Sequence, residues 1–292
     1  MSRLPDEKRR KAFFYAEQDA FCYDDVLELT QPFYWQFHDV ILDLFRYHFD
    51  SWAPGRNTSV QCSVLDVGCG TGVEGLRLLD AFPALHLIGL DFCQPMLDQF
   101  ERKLAARYGT EWRRRCTLSL RDILDEELDT EGLRALLPAN ASGIQAIVTA
   151  FALHHYGPEE KLRAYRLFFD LLPPGGLFVY GDLFSYESTT LADYAQEHEE
   201  RWILQNFSDS DEGLKSRLRE IGKEAGELRS LWIDHLRTYN VPLAIECGWS
   251  QNQTGGEPVS GSSELHLLRS AGFREIGCPY RYFQAGVLWA RK

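Results

Sequence analysis

The sequence predicts an α/β fold built on a doubly wound, mostly parallel sheet, and three observations support this prediction. Between residues 61 and 185, short apolar segments alternate with amphipathic helical segments, the order expected when right-handed helical crossovers join parallel strands. The apolar segments are nearly continuous, which is typical of strands buried on both faces. A glycine-rich loop, GCGTG at residues 68–72, joins the first strand to the first helix, at the edge where such sheets bind ligands.

The composition limits the classes of partner. The chain has 292 residues, 45% of them hydrophobic, enough for one large core or for a core domain with an added cap. The formal net charge of −12 repels phosphate backbones, so we expect no nucleic-acid partner. The aromatic content, 18 Phe, 13 Tyr and 7 Trp, indicates cores or pockets that suit apolar ligands.

The cysteines and the N-terminal segment indicate a cytoplasmic protein. The 7 cysteines are scattered and include no C-x-x-C pair, which favours free thiols in a reducing compartment over disulfides or a zinc site. The start, MSRLPDEKRRKAFF, is charged and lacks the apolar region of a secretory signal. No stretch approaches the roughly 18 apolar residues of a membrane span, so we expect no membrane partner. A homodimer is left open.

The chain divides into four predicted regions, of which the first is an N-terminal helical cap at residues 1–58. Apolar residues recur there at helical spacing between residues 33 and 45, and WAPGRN at residues 52–57 then breaks the pattern. The second region is the core, residues 59–185. Its predicted strands are SVLDVG, ALHLIGLD, CTLSLRD, GIQAIVTAF and GLFVYGDLF, and its helices are VEGLRLLDAF, QPMLDQFERKLAARY and PEEKLRAYRLFFDLL.

The remaining two regions follow the fifth strand. Residues 186–262 are predicted to form a helical insertion, a substrate cap over the strand ends, because they are charged and helical in pattern as far as the polar stretch NQTGGEPVSGSS. Residues 263–292 complete the sheet with the helix SSELHLLRSAGF, capped by Gly272, and with two strands. These strands, REIGCPYRYF and AGVLWARK, are predicted to pair as a hairpin around Gln284.

The spacing of the glycines distinguishes between kinds of nucleotide ligand. A nicotinamide dinucleotide site has the pattern G-x-G-x-x-G, which requires a glycine where this chain has Val73. The glycines here are Gly68, Gly70 and Gly72, with Asp66 two residues before the first of them. This D-x-G-x-G-x-G pattern after a strand resembles motif I of the class I S-adenosylmethionine-dependent methyltransferases.

The resemblance covers residues 60–185 well and the C-terminal hairpin less closely. The stretches AFALHHYGPEEKLRAY and AGFREIGCPYRYFQAGVLWARK further resemble a group of small, uncharacterised bacterial and archaeal methyltransferases, distantly similar to carboxy-S-adenosylmethionine synthase. The resemblance implies a Rossmann-like sheet of seven strands. It also implies S-adenosylmethionine as the cofactor and S-adenosylhomocysteine as the product.

The loop and the carboxylates around it are the first predicted cofactor contacts. Because S-adenosylmethionine carries no phosphate, the loop glycines would give room for its methionyl and ribose portions. Asp66 is placed to bind the amino group, and a helix N-cap or a loop brace is the alternative. Asp91 ends the second strand, where a carboxylate can accept hydrogen bonds from both ribose hydroxyls.

The adenine pocket is predicted from the resemblance. Phe92 and its neighbours would pack against adenine. Asp122, after the third strand, resembles the acidic residue that accepts a hydrogen bond from the adenine amine, with a surface carboxylate as the alternative. Ile123 would then touch the ring. Met96 is either a wall of the pocket or part of a helix core.

The stretch AFALHHYG follows the fourth strand, beside the expected position of the transferred methyl group. The resemblance implies that the backbone of Ala150 or Phe151 contacts the amino group of the cofactor. Adjacent side chains point in different directions, so His154 and His155 are poor joint ligands and we predict no metal. We choose His155 as the inner histidine, a general base or an orienting hydrogen bonder; a purely structural role is the alternative.

The helical segments outside the core carry the candidate acceptor contacts. Tyr23 and Tyr34 lie in the N-terminal helices, and Tyr34 shares a helical face with His38; packing on the sheet is the alternative. In the insertion, His198 and Arg201 are three residues apart and could meet an anionic substrate. A solvated helix face is the alternative for this pair.

These features predict a cytoplasmic methyltransferase that acts on a small molecule with an apolar or aromatic portion, by direct displacement at the methyl carbon. Three alternatives stay open. One is an enzyme that modifies S-adenosylmethionine itself, as carboxy-S-adenosylmethionine synthase does, with Arg201 receiving the new carboxylate. Another is a noncatalytic cofactor-binding partner protein. The third is a tRNA or protein methyltransferase, of which the acidic charge disfavours tRNA.

Overall fold

The computed structural model describes residues 17–52, 61–125, 128–209 and 260–292, with residues 215, 216, 219, 226, 230 and 233. Most of the predicted linker at 52–57 and of the polar stretch before residue 260 lies outside them. The elements, in chain order, are α1 (Glu17–Thr30), α2 (Tyr34–Trp52), β1 (Gln61–Val67), α3 (Val73–Ala81), β2 (His86–Asp91), α4 (Gln94–Tyr108), β3 (Cys116–Leu120), α5 (Thr130–Arg134), β4 (Ala141–Ala150), α6 (Pro158–Leu171), β5 (Leu177–Leu183), α7 (Thr189–Asp209), α8 (Gly261–Ala271), β6 (Glu275–Tyr282) and β7 (Ala285–Arg291).

The seven strands form one sheet in the order β3-β2-β1-β4-β5-β7-β6. Strands β1 to β5 pair in parallel, and β7 pairs antiparallel with both β5 and β6. From β1 the strands continue through β2 to β3 at one edge of the sheet, and from β4 they continue through β5 toward the other edge. The edge beyond the carboxyl ends of these strands is therefore the switch point at which open α/β sheets bind ligands. The predicted sheet and its C-terminal hairpin are confirmed.

Helices cover both faces of the sheet, because successive strand residues point to opposite sides. On one face, Val64 and Val148 belong to an apolar cluster with buried residues of α2, α3 and α4. On the other, Leu65 and Ile147 belong to a cluster with buried residues of α5, α6 and α8. These two layers are the doubly wound arrangement that the sequence predicts.

Helix α2 lies directly on the sheet. Phe37, Ile41 and Phe45 recur at helical spacing and are buried in the same cluster as the strands. Gly181 on β5 permits this close approach, since a Cβ there would lie 2.5 Å from the ring of Phe37. The division into four regions stays a proposal, in which α2 contributes to the core as well as to the cavity described below.

Glycine and proline mark two of the described helix ends. Gly272 follows α8 in a left-handed conformation, with φ of 115°, which confirms the predicted C-cap. Pro95 lies in the first turn of α4, where a missing N–H costs no helical hydrogen bond. None of the helices in the described part of the chain is long and apolar enough to cross a membrane.

Candidate functional site

A cavity opens at the carboxyl edge of the sheet, beyond β1, β2 and β4. It contains about 880 Å³ of space, part of it open to solvent. Its walls are the loops after these strands and after β3, together with α1, α2 and the start of α3. Its acidic, basic, hydroxyl-bearing and aromatic lining residues are Tyr23, Tyr34, His38, Asp66, Thr71, Glu74, Asp91, Phe92, Arg121, Asp122, Phe151, His155 and Tyr156.

The three glycines of the loop have different surroundings, although each has a positive φ. Gly68 and Gly70 line the cavity, whereas Gly72 does not. A Cβ on Gly72 would lie 2.0 Å from the ring of Phe100, and one on Gly70 would meet no atom within 4 Å. Gly70 therefore leaves space on the ligand side, and Gly72 allows the loop to pack closely on α4. The structure thus separates Gly72 from the other predicted cofactor contacts.

Asp91 joins the glycine loop to the end of β2. Its Oδ2 accepts a hydrogen bond from the Gly70 amide and its Oδ1 accepts one from the Cys93 amide, each at 2.8 Å. Burial raises the pKa of Asp91 to about 6, although these amides oppose the rise. Each carboxylate oxygen keeps a lone pair, so Asp91 can still accept hydrogen bonds from a ligand hydroxyl.

Asp66 is a buried carboxylate at the floor of the cavity. Burial, with Glu74 and Asp91 nearby, raises its pKa well above the usual range, while the Gly75 amide opposes the rise. Its Oδ2 has no hydrogen-bond partner among the described residues. An unsatisfied buried acceptor is costly, and a cationic ligand group such as an ammonium would satisfy it.

Asp122 lies across the cavity, after β3. Its Oδ1 accepts hydrogen bonds from the Tyr156 hydroxyl at 3.0 Å and from the Leu124 amide at 2.9 Å. These contacts fix the carboxylate in the wall, which disagrees with the alternative of a merely solvated side chain. Ile123 also lines the cavity.

Phe92 and Met96 line the cavity from the β2–α4 connection. Phe92 is 36% exposed, so part of its side chain is accessible, whereas Met96 is buried. Met96 therefore lines the cavity and also packs in a helix core, so the two alternatives given for it do not exclude each other.

The residues after β4 form another part of the wall. Ala150 and Phe151 both line the cavity, and Phe151 has a positive φ of 50°, an uncommon conformation for a bulky residue. Its amide donates to the Gly181 carbonyl at 2.9 Å. Any backbone contact from Phe151 to a ligand must therefore use its carbonyl oxygen, which suits an amino group.

The two histidines of AFALHHYG differ sharply in environment. His154 is buried, and its amide and Nδ1 contact the two carboxylate oxygens of Asp182 at 3.0 and 2.5 Å. Burial raises the pKa of Asp182, but His154, Lys161 and the Leu183 amide together outweigh burial, and the pKa lies below its usual value. His155 is partly exposed and lines the cavity, whereas His154 is not among the lining residues. The chemical role of His155 stays a prediction.

The two predicted tyrosines face the cavity from α1 and α2. Burial raises the pKa of Tyr23 and of Tyr34 above the usual range, and nearby acidic groups add to the rise. Both hydroxyls therefore stay protonated at neutral pH. Helix α1 is tied to the glycine loop because Asp24 accepts hydrogen bonds from the Thr71 hydroxyl and the Lys103 ammonium.

Arg201 does not line the cavity. It is exposed on α7, and its Nε donates to the Glu197 carbonyl at 3.1 Å, within the same helix. Its predicted neighbour His198 contacts the Tyr282 hydroxyl at 3.0 Å and stacks on Phe283. The alternative reading of a solvated helix face describes Arg201 better than contact with a substrate.

Several lining residues were not predicted from the sequence as contacts. Glu74 is the clearest example, since an acidic residue in the first turn of a helix needs no explanation beyond the helix dipole. In the structure its carboxylate is buried and bonded to His38. No sequence pattern predicts a contact between two residues that are 36 positions apart. The described residues contain no group of three or more His, Cys, Asp or Glu that could hold a metal ion.

A family model described as a methyltransferase domain matches residues 64–176. Among curated proteins, the carboxy-S-adenosyl-L-methionine synthase of Campylobacter fetus subsp. fetus is 22% identical over 245 residues, covering 84% of this chain and 90% of the relative. An uncharacterized methyltransferase of Oceanobacillus iheyensis is 28% identical over 135 residues, covering 46% of this chain and 53% of the relative.

Two solved structures share the fold. A presumed O-methyltransferase from Nostoc punctiforme superposes with a TM-score of 0.55 at 12% identity, covering 94% of this chain and 59% of that chain. The CurJ carbon methyltransferase has a TM-score of 0.50 at 14% identity, covering 87% and 53%. This chain thus spans somewhat more than half the length of either structure, and at these identities the similarity concerns the fold alone.

Proposed function

We propose that the chain is a class I S-adenosylmethionine-dependent methyltransferase and that it methylates a small molecule with an apolar or aromatic portion. S-Adenosylmethionine is the methyl donor and S-adenosylhomocysteine is the product. One observation carries the proposal. A single cavity is lined both by the glycine loop with Asp91 and by the aromatic rings of Tyr23, Tyr34 and Phe151.

Features of the cavity support the fit of this donor. The unsatisfied Oδ2 of Asp66 suits the methionyl ammonium. The open space beside Gly70 suits the ribose, whose two hydroxyls can donate to Asp91. Phe92 offers a partly exposed side chain for adenine. The walls are acidic, which complements the positive charge of a sulfonium donor.

We assign the remaining cofactor contacts in the same way. Asp122, fixed by Tyr156, would accept a hydrogen bond from the adenine amine, and Ile123 and Met96 would contact the ring. The carbonyl oxygen of Ala150 or Phe151 would accept from the methionyl ammonium. Gly68 gives the loop its turn beside Ala152, where a Cβ would lie 2.4 Å from the Ala152 Cβ. Gly72 supports this loop by packing and makes no cofactor contact.

The bound donor supplies a methyl group already activated by the positive sulfur. The protein then has to bring the acceptor in line and exclude water, which accounts for much of the rate enhancement of such transfers. Tyr23 and Tyr34, whose hydroxyls are protonated at neutral pH, would position the acceptor by hydrogen bonds. His155 would contact the acceptor at the mouth of the cavity as an orienting hydrogen bonder. We assign Arg201 no acceptor contact, because it lies outside the cavity.

A second candidate function comes from the relatives named carboxy-S-adenosyl-L-methionine synthase. Such an enzyme needs a cation to receive a carboxylate on the modified methyl group. Arg121 is the arginine among the described lining residues. Mass spectrometry of ligand retained through purification separates the two functions. Methyl transfer predicts S-adenosylmethionine or S-adenosylhomocysteine, whereas the mass of carboxy-S-adenosylmethionine would favour the second function.

The proposed function is tested by incubating the protein with S-adenosylmethionine labelled in its methyl group and a small-molecule metabolite extract. We expect a labelled small molecule and an equal amount of S-adenosylhomocysteine. Label in protein or RNA fractions would contradict a small-molecule acceptor. Binding of the donor without transfer to any fraction would indicate a noncatalytic partner protein. The free cysteines of the described residues support a reducing compartment such as the cytoplasm.

A further inference from the structure

His38 and Glu74 form a buried pair in the wall of the cavity. His38 lies on α2 and Glu74 in the first turn of α3, and Nδ1 of the imidazole hydrogen-bonds to Oε1 of the carboxylate. The two residues are 2% and 4% exposed, and both line the cavity. The pair therefore joins two helices in the wall of the cavity proposed to hold donor and acceptor.

The carboxylate determines which imidazole nitrogen carries the proton. A carboxylate beside Nδ1 favours the N–H at that nitrogen and leaves a lone pair on Nε2. The Nε2 of His38 is buried and has no hydrogen-bond partner among the described residues. Because an unsatisfied buried acceptor is costly, the arrangement favours a ligand that donates a proton or a hydrogen bond to Nε2.

The surroundings of His38 indicate the kind of ligand. The Tyr34 ring contacts the imidazole at a centroid distance of 4.2 Å, and the Phe151 ring lies 6.1 Å away at the end of β4. Planar apolar walls of this kind favour an aromatic acceptor. The end of β4 is also where ligands bind in open α/β sheets, so His38 lies in the cavity wall near this edge.

We propose that His38 is the general base of the reaction, that Glu74 is its positioning residue, and that the acceptor is a neutral phenolic hydroxyl. This inference rests on the proposed methyl transfer. The hydroxyl oxygen would form a bond to the methyl carbon as the carbon–sulfur bond breaks and its electron pair remains on sulfur. The hydroxyl proton would pass to Nε2 of His38, giving an imidazolium that the Glu74 carboxylate stabilises.

The other histidines at this edge are less suited to the role. His154 is turned away from the cavity and held by Asp182. His155 lines the cavity at a partly exposed position, where water competes with a ligand for hydrogen bonds to its ring nitrogens. His38 combines a carboxylate partner, a buried acceptor nitrogen and a place in the cavity wall.

The first test concerns the free protein and needs no acceptor. Nitrogen-15 NMR of histidine-labelled protein at pH 8 should show His38 protonated at Nδ1 and unprotonated at Nε2. Glu74→Gln should weaken this preference and populate the form protonated at Nε2, while Glu74→Asp should restore it in part. Protonation of Nε2 in the unmodified protein, or no change in Glu74→Gln, would overturn the proposal.

The second test measures transfer from labelled S-adenosylmethionine to a series of para-substituted phenols, from phenol itself to 4-nitrophenol. General-base catalysis is typically worth about 10²- to 10⁴-fold, so His38→Asn should lower kcat for neutral phenols by about that factor. The loss should be smaller for 4-nitrophenol, which is largely ionised at pH 8 and needs no base. His48→Asn is the matched control, because His48 is a buried histidine on the same helix outside the cavity, and it should retain activity.

Calorimetry with S-adenosylhomocysteine separates a base from a cofactor contact. His38→Asn should bind S-adenosylhomocysteine within about twofold of the unmodified protein, far less than the factor expected for kcat. A loss of affinity that accounts for the loss of rate would make His38 a methionyl contact and overturn its role as base, as would equal rate losses for neutral and ionised phenols. Methylation of an extract component but of no phenol would reject this inference alone. Failure of all transfer would reject the proposed function as well.

Discussion

The backbone amide of Gly70 donates a hydrogen bond of 2.8 Å to Oδ2 of Asp91. This contact joins the loop after β1 to the end of β2, and it places an acidic group beside the one loop glycine that faces open space. The loop thus shapes this part of the cavity, and the neighbouring strand contributes the acidic side chain of Asp91. The proposed ribose site depends on both.

The pKa of Asp91 leads to a prediction about pH. Burial raises this pKa to about 6, and only the ionised carboxylate can accept hydrogen bonds from both ribose hydroxyls. The affinity for S-adenosylhomocysteine should therefore fall as the pH drops through 6, to about one tenth at pH 5 of its value at pH 8. Calorimetry across this range measures the effect. Asp91→Asn should bind weakly and with a smaller pH dependence; equal dependence in both proteins would assign the titration to another group.

The loop glycines should respond differently to alanine. At Gly72, with φ of 86°, an added methyl group would overlap the Phe100 ring, so left-handed strain and overpacking together should lower the free energy of unfolding by about 2–5 kcal/mol. At Gly70 the methyl group meets open space, so the cost should be only about 1–2 kcal/mol of strain. Thermal or urea unfolding measures both.

The effects of the same two variants on ligand affinity should follow the reverse order. Gly70→Ala would place its methyl group in the space proposed for the ribose and should weaken S-adenosylhomocysteine binding more than Gly72→Ala does. Calorimetry at a temperature where both variants are folded checks this. A folded Gly70→Ala protein with unchanged affinity would contradict the placement of the cofactor beside Gly70.

The raised pKa of Glu199, a residue outside the cavity, leads to a prediction about how stability changes with pH. Burial raises its pKa from 4.5 to about 8, although the Gln284 amide and Arg281 oppose the rise. The folded protein therefore retains a proton that the unfolded chain loses. The resulting stabilisation is complete below pH 4.5 and is lost as the pH rises to about 8. Glu199→Gln should raise the Tm relative to the unmodified protein at pH 8 but not at pH 4.5, and the exposed control Glu197→Gln should change neither.

The alternation of strands and helices could be predicted because it depends on local periodicity and on glycine and proline signals. The loop carboxylates could be predicted as well, since Asp66 and Asp91 occupy strand ends that topology brings to one edge. The choice of His155 over His154 could not be derived from spacing alone. It depends on the left-handed turn at Phe151 and on the attraction of His154 to Asp182, which lies on a strand 28 residues further along.

Sequence patterns could not predict the contacts between elements that are distant along the chain. Pairing of His38 with Glu74 requires α2 to dock on the sheet beside the start of α3, a result of tertiary packing. The separation of Gly72 from the ligand side depends on the Phe100 ring, 28 positions later in the sequence numbering. Arg201 was predicted from its residue type and region, but the orientation of α7 leaves it exposed on the helix surface.

The most direct test of the account is calorimetric titration of S-adenosylhomocysteine into the unmodified protein and into Asp91→Ala. We predict one binding site, with affinity at least about tenfold weaker in the variant, equivalent to about 1.4 kcal/mol. Asp98→Ala, which removes an exposed carboxylate on α4 that contacts Gln94, should leave the affinity unchanged. No binding to the unmodified protein, or equal affinity in Asp91→Ala, would contradict the proposed site.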